Sequence, residues 1–145
     1  MSKHLEIGTI TALTELEQAS DKIRLFCTAH NIAPERIFHL DLALDELVSN
    51  FFRHGHDPAG SDSPAISIDL LVEDDCLITA VKDNGIAFNP LEAKPPDLDL
   101  SVEDKPIGGL GLHLVSQFID ELDYQRAEGW NCLTLRQRLT AGSEK

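Results

Sequence analysis

The chain has 145 residues, enough for one domain with a buried core, and 42% hydrophobic against 26% charged residues excludes a disordered chain. Twenty-five acidic residues face twelve basic ones, a net charge of −13 that repels phosphate backbones, so nucleic acid is not an expected partner. The N-terminal stretch MSKHLEIGTITALTELEQ has no long apolar segment or small-residue cleavage site, and no run reaches bilayer length; neither secretion nor a membrane is expected, and the chain reads as cytoplasmic.

Residues 3–10 form a first expected strand, with Leu5, Ile7 and Ile10 on its apolar side. Thr14 is expected to cap a helix running to about His30, because Thr14 and Glu17 have the spacing of a capping box. Leu16, Ala19, Ile23, Phe26 and Cys27 share one face of it. A second helix, about 34–54, starts on Pro34 and Glu35, and Gly55 is its natural stop. Ile37, Leu40, Leu44, Leu47, Val48 and Phe51 make its apolar stripe. Residues 56–64 are loop by composition. Ala65–Val72 and Cys76–Val81 read as a hairpin turning at Asp74 and Asp75. Residues 89–106 hold Pro90, Pro95, Pro96 and Pro106 without sustained periodicity, which in so small a domain marks a lid or a disordered segment. Gly108–Asp120 opens on glycines and becomes a helix with Leu112, Leu114, Val115, Phe118 and Ile119. Strands Leu122–Glu128 and Asn131–Leu139 join at Gly129, and residues 140–145 are expected to fray. Two consecutive hairpins imply a mostly antiparallel sheet covered by helices on one face: an α/β (α+β) two-layer sandwich in a single domain, 1–145. Cys27, Cys76 and Cys132 are widely spaced and odd in number, so three buried free thiols are expected rather than a zinc site.

Three segments could carry chemistry. At about 100° per residue, His39, Glu46, Asn50 and Arg53 fall opposite the apolar stripe of the second helix. Glu46 and Asn50 are one turn apart, and a carboxylate beside an amide oxygen can serve a hard cation and its water shell. A solvated helix face carries the same pair. Asp83-Asn84-Gly85 after a β run is either an ordinary turn or a base-recognition turn. In the second case Asp83 accepts from an exocyclic amine and Gly85 lets the backbone approach a flat ring. Gly108-Gly109-Leu110-Gly111 before an apolar helix is either a hinge or an anion loop at a positive helix end, and it matches neither the Rossmann nor the Walker pattern. In chain order the three segments and the intervening loop are the parts of a nucleotide site.

These residues resemble the motifs of the GHKL ATPases, which share the Bergerat ATP-binding fold, and more closely those of the small anti-sigma factor serine/threonine kinases. The N box reads Asp45-Glu46-Leu47-Val48-Ser49-Asn50 followed by His54-Gly55. The G1 box reads Asp83-Asn84-Gly85-Ile86-Ala87-Phe88-Asn89-Pro90. The G2 box reads Gly108-Gly109-Leu110-Gly111-Leu112-His113-Leu114-Val115. The resemblance covers about residues 10–138. It implies ATP and Mg²⁺ as cofactors, Glu46 as general base, Asn50 on the metal, Asp83 on the adenine amine and Gly85 against the ring. Gly108, Gly109, Leu110, Gly111 and Leu112 would admit the phosphates, with residues 89–107 as the lid. Ala87 stands where many relatives have a second glycine. Lys105 is the lid lysine nearest the phosphate loop, and a phosphate contact is assigned to it.

The resemblance implies a kinase that phosphorylates a small STAS-type anti-sigma factor antagonist, with a sigma factor and a second copy of the chain as further candidate partners. Two rival readings stand beside it. One is an ATP-binding module that sequesters a regulator without significant phosphotransfer. The other, disfavoured by the compact helix start at Thr14 and the short lid, is a histidine kinase catalytic domain acting on a separate protein. The polar side of the first helix, around Asp21, Lys22 and Arg24, is a candidate partner surface.

Overall fold

The computed structural model describes residues 2–55, 63–89 and 115–140. Five strands form one wholly antiparallel sheet in the order β1-β2-β3-β5-β4: β1 His4–Ile10, β2 Ile66–Glu73, β3 Cys76–Asp83, β4 Glu121–Ala127 and β5 Trp130–Arg138. Helices α1, Leu16–Ala29, and α2, Pro34–Asn50, pack on one face. The sandwich expected from the hairpin pattern is therefore present.

The core follows from period-2 alternation in the strands and helical stripes above them. Ile66, Ile68 and Leu70 of β2, Leu77 and Val81 of β3, and Leu133 and Leu135 of β5 are buried. Leu16, Ala19, Ile23 and Cys27 of α1 and Leu40, Ala43, Leu44 and Val48 of α2 complete the same cluster. Ile10 is buried although it is out of phase with Leu5 and Ile7. A bulge between Glu6 and Gly8, with Gly8 at φ 85°, inserts one residue and turns the later part of β1 back toward the core.

Several local expectations are corrected. The helix entry is not a Thr14–Glu17 box. Leu13–Glu15 form a 3-10 turn, and the Glu15 carboxylate accepts from the Thr11 N–H at 2.7 Å and the Ala12 N–H at 3.3 Å. The capping residue must be extended, and that residue is Ala12 (φ −151°), whereas Thr14 already lies inside the turn. Helix α1 ends as sequence suggests, near His30, with Asn31 left-handed at φ 59°. The Asn31 N–H donates to the Thr28 carbonyl and the Ile32 N–H to the Cys27 carbonyl, each at 3.0 Å. Gly55 does not stop α2. The chain continues through a π-helical turn, Phe51–Gly55, and the Gly55 carbonyl accepts from the N–H of Ile86 at 2.8 Å. Of the three cysteines only Cys27 is buried; Cys76, at a hairpin end, and Cys132, on the outward parity of β5, are half-buried. Burial, reinforced by Asp41, pushes the Cys27 thiol up to about 11, so it stays protonated.

His39, expected on the solvated side of α2, is half-buried, and its ring stacks on Phe118 at 4.7 Å. Helical residues 115–118 cover that side, with Val115 and Ile119 buried. The glycine loop Gly108–Gly111, Leu112, Lys105 and most of the 89–107 lid lie outside the described residues.

Candidate functional site

The site is built on the end of β3 where it runs under α2. Strand β3 is central, and it continues two residues beyond the expected Val81 because Asp83 pairs with Ile66 on one side and with Asn131 on the other. Asp83 is thus the last strand residue, and the turn follows it. Its Oδ1 accepts from the Gly85 N–H at 2.9 Å, so the ordinary turn chemistry is present. The turn is then clasped to β2: Asn84 Oδ1 accepts from the Ala65 N–H at 2.9 Å, and its Nδ2 donates to the Ser63 carbonyl at 2.8 Å.

Gly85 is glycine for a reason of packing. A Cβ there would meet the Gly55 carbonyl oxygen and the Phe51 ring, both from the π-helical turn. The absence of a side chain is what lets the turn at Asp83–Gly85 and the end of α2 touch. Gly85→Ala is expected to cost about 1–3 kcal/mol, the usual range for overpacking a tight contact. Urea unfolding would measure it, because the Gly55–Ile86 bond must open.

A cleft lies between α2 and the sheet. Leu47, Asn50 and Phe51 line one wall, and Val81, Asp83, Ile86, Phe88 and Tyr124 line the other, with Leu133 and Asn131 at the sheet. An apolar slot with a few convergent polar groups suits a flat aromatic ligand. Asp83 presents the acceptor. Burial pushes its carboxyl above the ordinary carboxylate range, while hydrogen bonds from Asn131 and Gly85 and the Arg126 guanidinium pull it back. Its Oδ2 has no hydrogen-bond partner among the described residues.

Glu46 and Asn50 share α2 but border different spaces. Asn50 lines the cleft. Glu46 lines a groove between α1 and α2 together with Glu17, Arg24, Asp41, Asp45, Arg53 and the exposed Phe38 and Leu42. Burial, and next Asp45, raise the Glu46 carboxyl above its ordinary range, and Arg53 opposes them. Arg24, in the candidate partner surface of α1, is engaged with Asp21 at 3.1 Å and reaches Asp41 of α2 at 3.8 Å. Ala87 is exposed and does not line the cleft.

Cleft residues Tyr124, Phe88 and above all Asn131 were missed from sequence, as was Arg126 beside the turn. The Asn131 Nδ2 donates to Asp83 Oδ1 at 2.9 Å and to the Ile86 carbonyl at 2.7 Å. Its Oδ1 accepts from the Tyr124 hydroxyl at 2.5 Å and the Phe88 N–H at 3.3 Å. Arg126 donates to the Gly85 carbonyl at 2.9 Å. One signal was available: Asn131 has the inward parity of Leu133 and Leu135, and a polar residue in a buried slot needs partners.

The cleft ends on a strand-terminal aspartate under a helix whose asparagine lines it, and residues 11–137 match the family described as the histidine kinase-like ATPase domain. The chain belongs to that family. It is 38% identical over 98 residues to the serine/threonine-protein kinase BtrW of Bordetella bronchiseptica, covering 68% of each chain. It is 31% identical over 99 residues to the serine-protein kinase RsbW of Listeria monocytogenes, covering 66% of this chain and 62% of that one. The fold matches the crystal structure of the RsbU and RsbW domains of a Mycobacterium tuberculosis protein. There the TM-score is 0.62 at 16% identity, over 94% of this chain and 32% of the other. No helix among the described residues is long and apolar enough to cross a membrane.

Proposed function

We propose that this chain is an ATP-dependent serine/threonine protein kinase that acts in the cytoplasm as an anti-sigma regulatory factor and phosphorylates a small STAS-type antagonist protein. The observation that carries the reading is the division of α2. Asn50 borders the cleft that ends on Asp83, while Glu46, one turn away, opens onto the groove between α1 and α2. A nucleotide and a hydroxyl-bearing protein can therefore approach one helix from two sides. The names of its 31% and 38% identical relatives support the same activity.

In this mechanism the adenine amine donates to Asp83, and Phe51, Ile86 and Phe88 flank the ring. Among the described residues no group of three or more His, Cys, Asp or Glu could hold a metal. A cation would therefore be shared with the nucleotide's phosphates, which suits magnesium. The Asn50 side chain would hold it, and when bound it would neutralise charge on those phosphates. Glu46 accepts the proton of the attacking hydroxyl. The hydroxyl oxygen bonds to the γ-phosphorus as the bond to the bridging oxygen breaks, and ADP leaves with that electron pair. Gly108, Gly109, Leu110, Gly111, Leu112 and Lys105 are assigned to the phosphates by motif.

Incubation with labelled ATP, Mg²⁺ and the antagonist should give an acid-stable phosphoserine or phosphothreonine on the antagonist. No transfer to a partner that demonstrably binds would refute the kinase reading and leave the sequestering one, which the exposed Phe38 and Leu42 beside the groove also suit. The rate should rise with pH through a midpoint above the ordinary glutamate value of about 4.3, because Glu46 must be ionised and its carboxyl is raised. Arg53→Ala should move that midpoint up and Asp45→Asn should move it down, both read from the pH–rate profile.

A further inference from the structure

Asn131 is 6% exposed and every hydrogen-bonding atom of its amide is used. Its orientation has one solution. The Asp83 carboxylate and the Ile86 carbonyl can only accept, and the Phe88 N–H can only donate, so the amide nitrogen must face Asp83 and the oxygen must face Phe88 and Tyr124. The consequence falls on Asp83. Its Oδ1 is held by two donors, Gly85 N–H and Asn131 Nδ2, both at 2.9 Å, and only Oδ2 remains for a ligand.

A carboxylate with both oxygens free is a poor discriminator of purines. It takes the single exocyclic amine of adenine, but it also takes the adjacent ring N–H and exocyclic amine of guanine as a two-pronged pair. A carboxylate with one oxygen withdrawn keeps the first interaction and loses half of the second. From this geometry we infer that Asn131, buttressed by Tyr124, is a positioning residue that dedicates one oxygen of Asp83 to the adenine amine and makes the cleft selective for ATP over GTP. The inference rests on the adenine reading of Asp83 proposed above. Arg126 strengthens the same turn from the opposite side by holding the Gly85 carbonyl at 2.9 Å, which keeps the Gly85 N–H aimed at Asp83.

The experiment is equilibrium binding of ATP and of GTP, with Mg²⁺, to the full chain and to three variants. Asn131→Leu keeps the side-chain size and removes both donors. It should tighten GTP and change ATP much less, so that the ATP-to-GTP preference falls by more than tenfold. Tyr124→Phe leaves the ring packing intact and removes one buttress, and should lower the preference a few-fold. Asp83→Asn tests the underlying reading. If it binds ATP as the parent does, the adenine assignment is refuted and the inference falls with it. If Asp83→Asn loses ATP but folded Asn131→Leu keeps the parent's preference, the inference alone is overturned. Should Asn131→Leu fail to fold, Tyr124→Phe decides: an unchanged preference overturns the proposal and a lowered one supports it. A merely structural role for Asn131 would weaken both nucleotides alike and leave their ratio where it was.

Discussion

Glu46→Gln is expected to lower phosphotransfer to the antagonist by about 10²–10⁴-fold, the contribution of one positioned proton acceptor, or roughly 3 to 5 kcal/mol of barrier. The amide has the shape of the carboxylate, so the groove between α1 and α2 keeps its form, but it cannot take a proton from an attacking hydroxyl. Nucleotide affinity should hardly change, because Glu46 borders the groove and not the cleft that contains Asp83. Paired measurements decide the matter: single-turnover transfer from labelled ATP, and equilibrium ATP binding. A variant that loses transfer and keeps binding separates a kinase from a passive nucleotide binder. A variant that loses both would mean that Glu46 supports the nucleotide site. If transfer were never detectable and the variant kept full regulatory output, sequestration would be the activity. The charge change itself has a small effect on stability, since Glu46 is only half-buried and partly solvated.

Asp83→Asn should weaken ATP by roughly 10- to 150-fold, the range for losing a hydrogen bond to a charged group, about 1.5–3 kcal/mol. The reason lies in the pair of donors on Oδ1. Gly85 N–H and Asn131 Nδ2 both require an oxygen, so the new amide must keep its oxygen there and turn its NH₂ toward the cleft. An adenine amine would then meet a donor where it needs an acceptor. Stability should move the other way. The folded carboxyl is raised above its unfolded value chiefly by burial, so the ionised form is disfavoured by folding. Stability contributed by the protonated carboxyl is fully present below the unfolded value and lost as pH rises through the raised folded value. At neutral pH the neutral amide removes that penalty, and Asp83→Asn should melt at or above the parent temperature. Below the ordinary carboxylate range the advantage should vanish. Thermal melts at two pH values, alongside ATP binding, test both halves. A site residue that lowers stability while enabling binding is the usual trade between the two.

The network at Asp83 gives the turn that follows it more than one structural duty. The Asp-Asn-Gly segment is open to two readings from sequence, and the geometry shows the first of them, the turn. One oxygen of Asp83 closes the turn, Asn84 ties the turn to the start of β2, and the second oxygen faces no partner among the described residues. In the proposed site the turn and the ligand would divide the two oxygens of this one side chain. Gly85 likewise has a packing duty toward Gly55 and Phe51 that no turn propensity announces.

Much of the architecture was legible along the chain. Alternation in Ile66–Glu73 and Cys76–Asp83, helical stripes in Leu16–Ala29 and Pro34–Asn50, and two hairpins determine an antiparallel sheet with helices on one face, because period and burial are local properties of the chain. The order of the three motifs determined the family, since their spacing reflects which elements must meet at one ligand. What only the tertiary structure decided are relations between distant residues. The extra residue that brings Ile10 inward depends on pairing with β2. The stacking of His39 on Phe118 depends on a segment far along the chain covering α2. The split of Glu46 and Asn50 between groove and cleft depends on which neighbours flank α2. Asn131, 48 residues from Asp83, becomes its partner because β3 and β5 lie side by side in a register that sets the two opposite each other. Local periodicity specifies which face a residue takes, but hydrogen-bond partners across a sheet follow from strand order and register, which are set by closing the whole core at once.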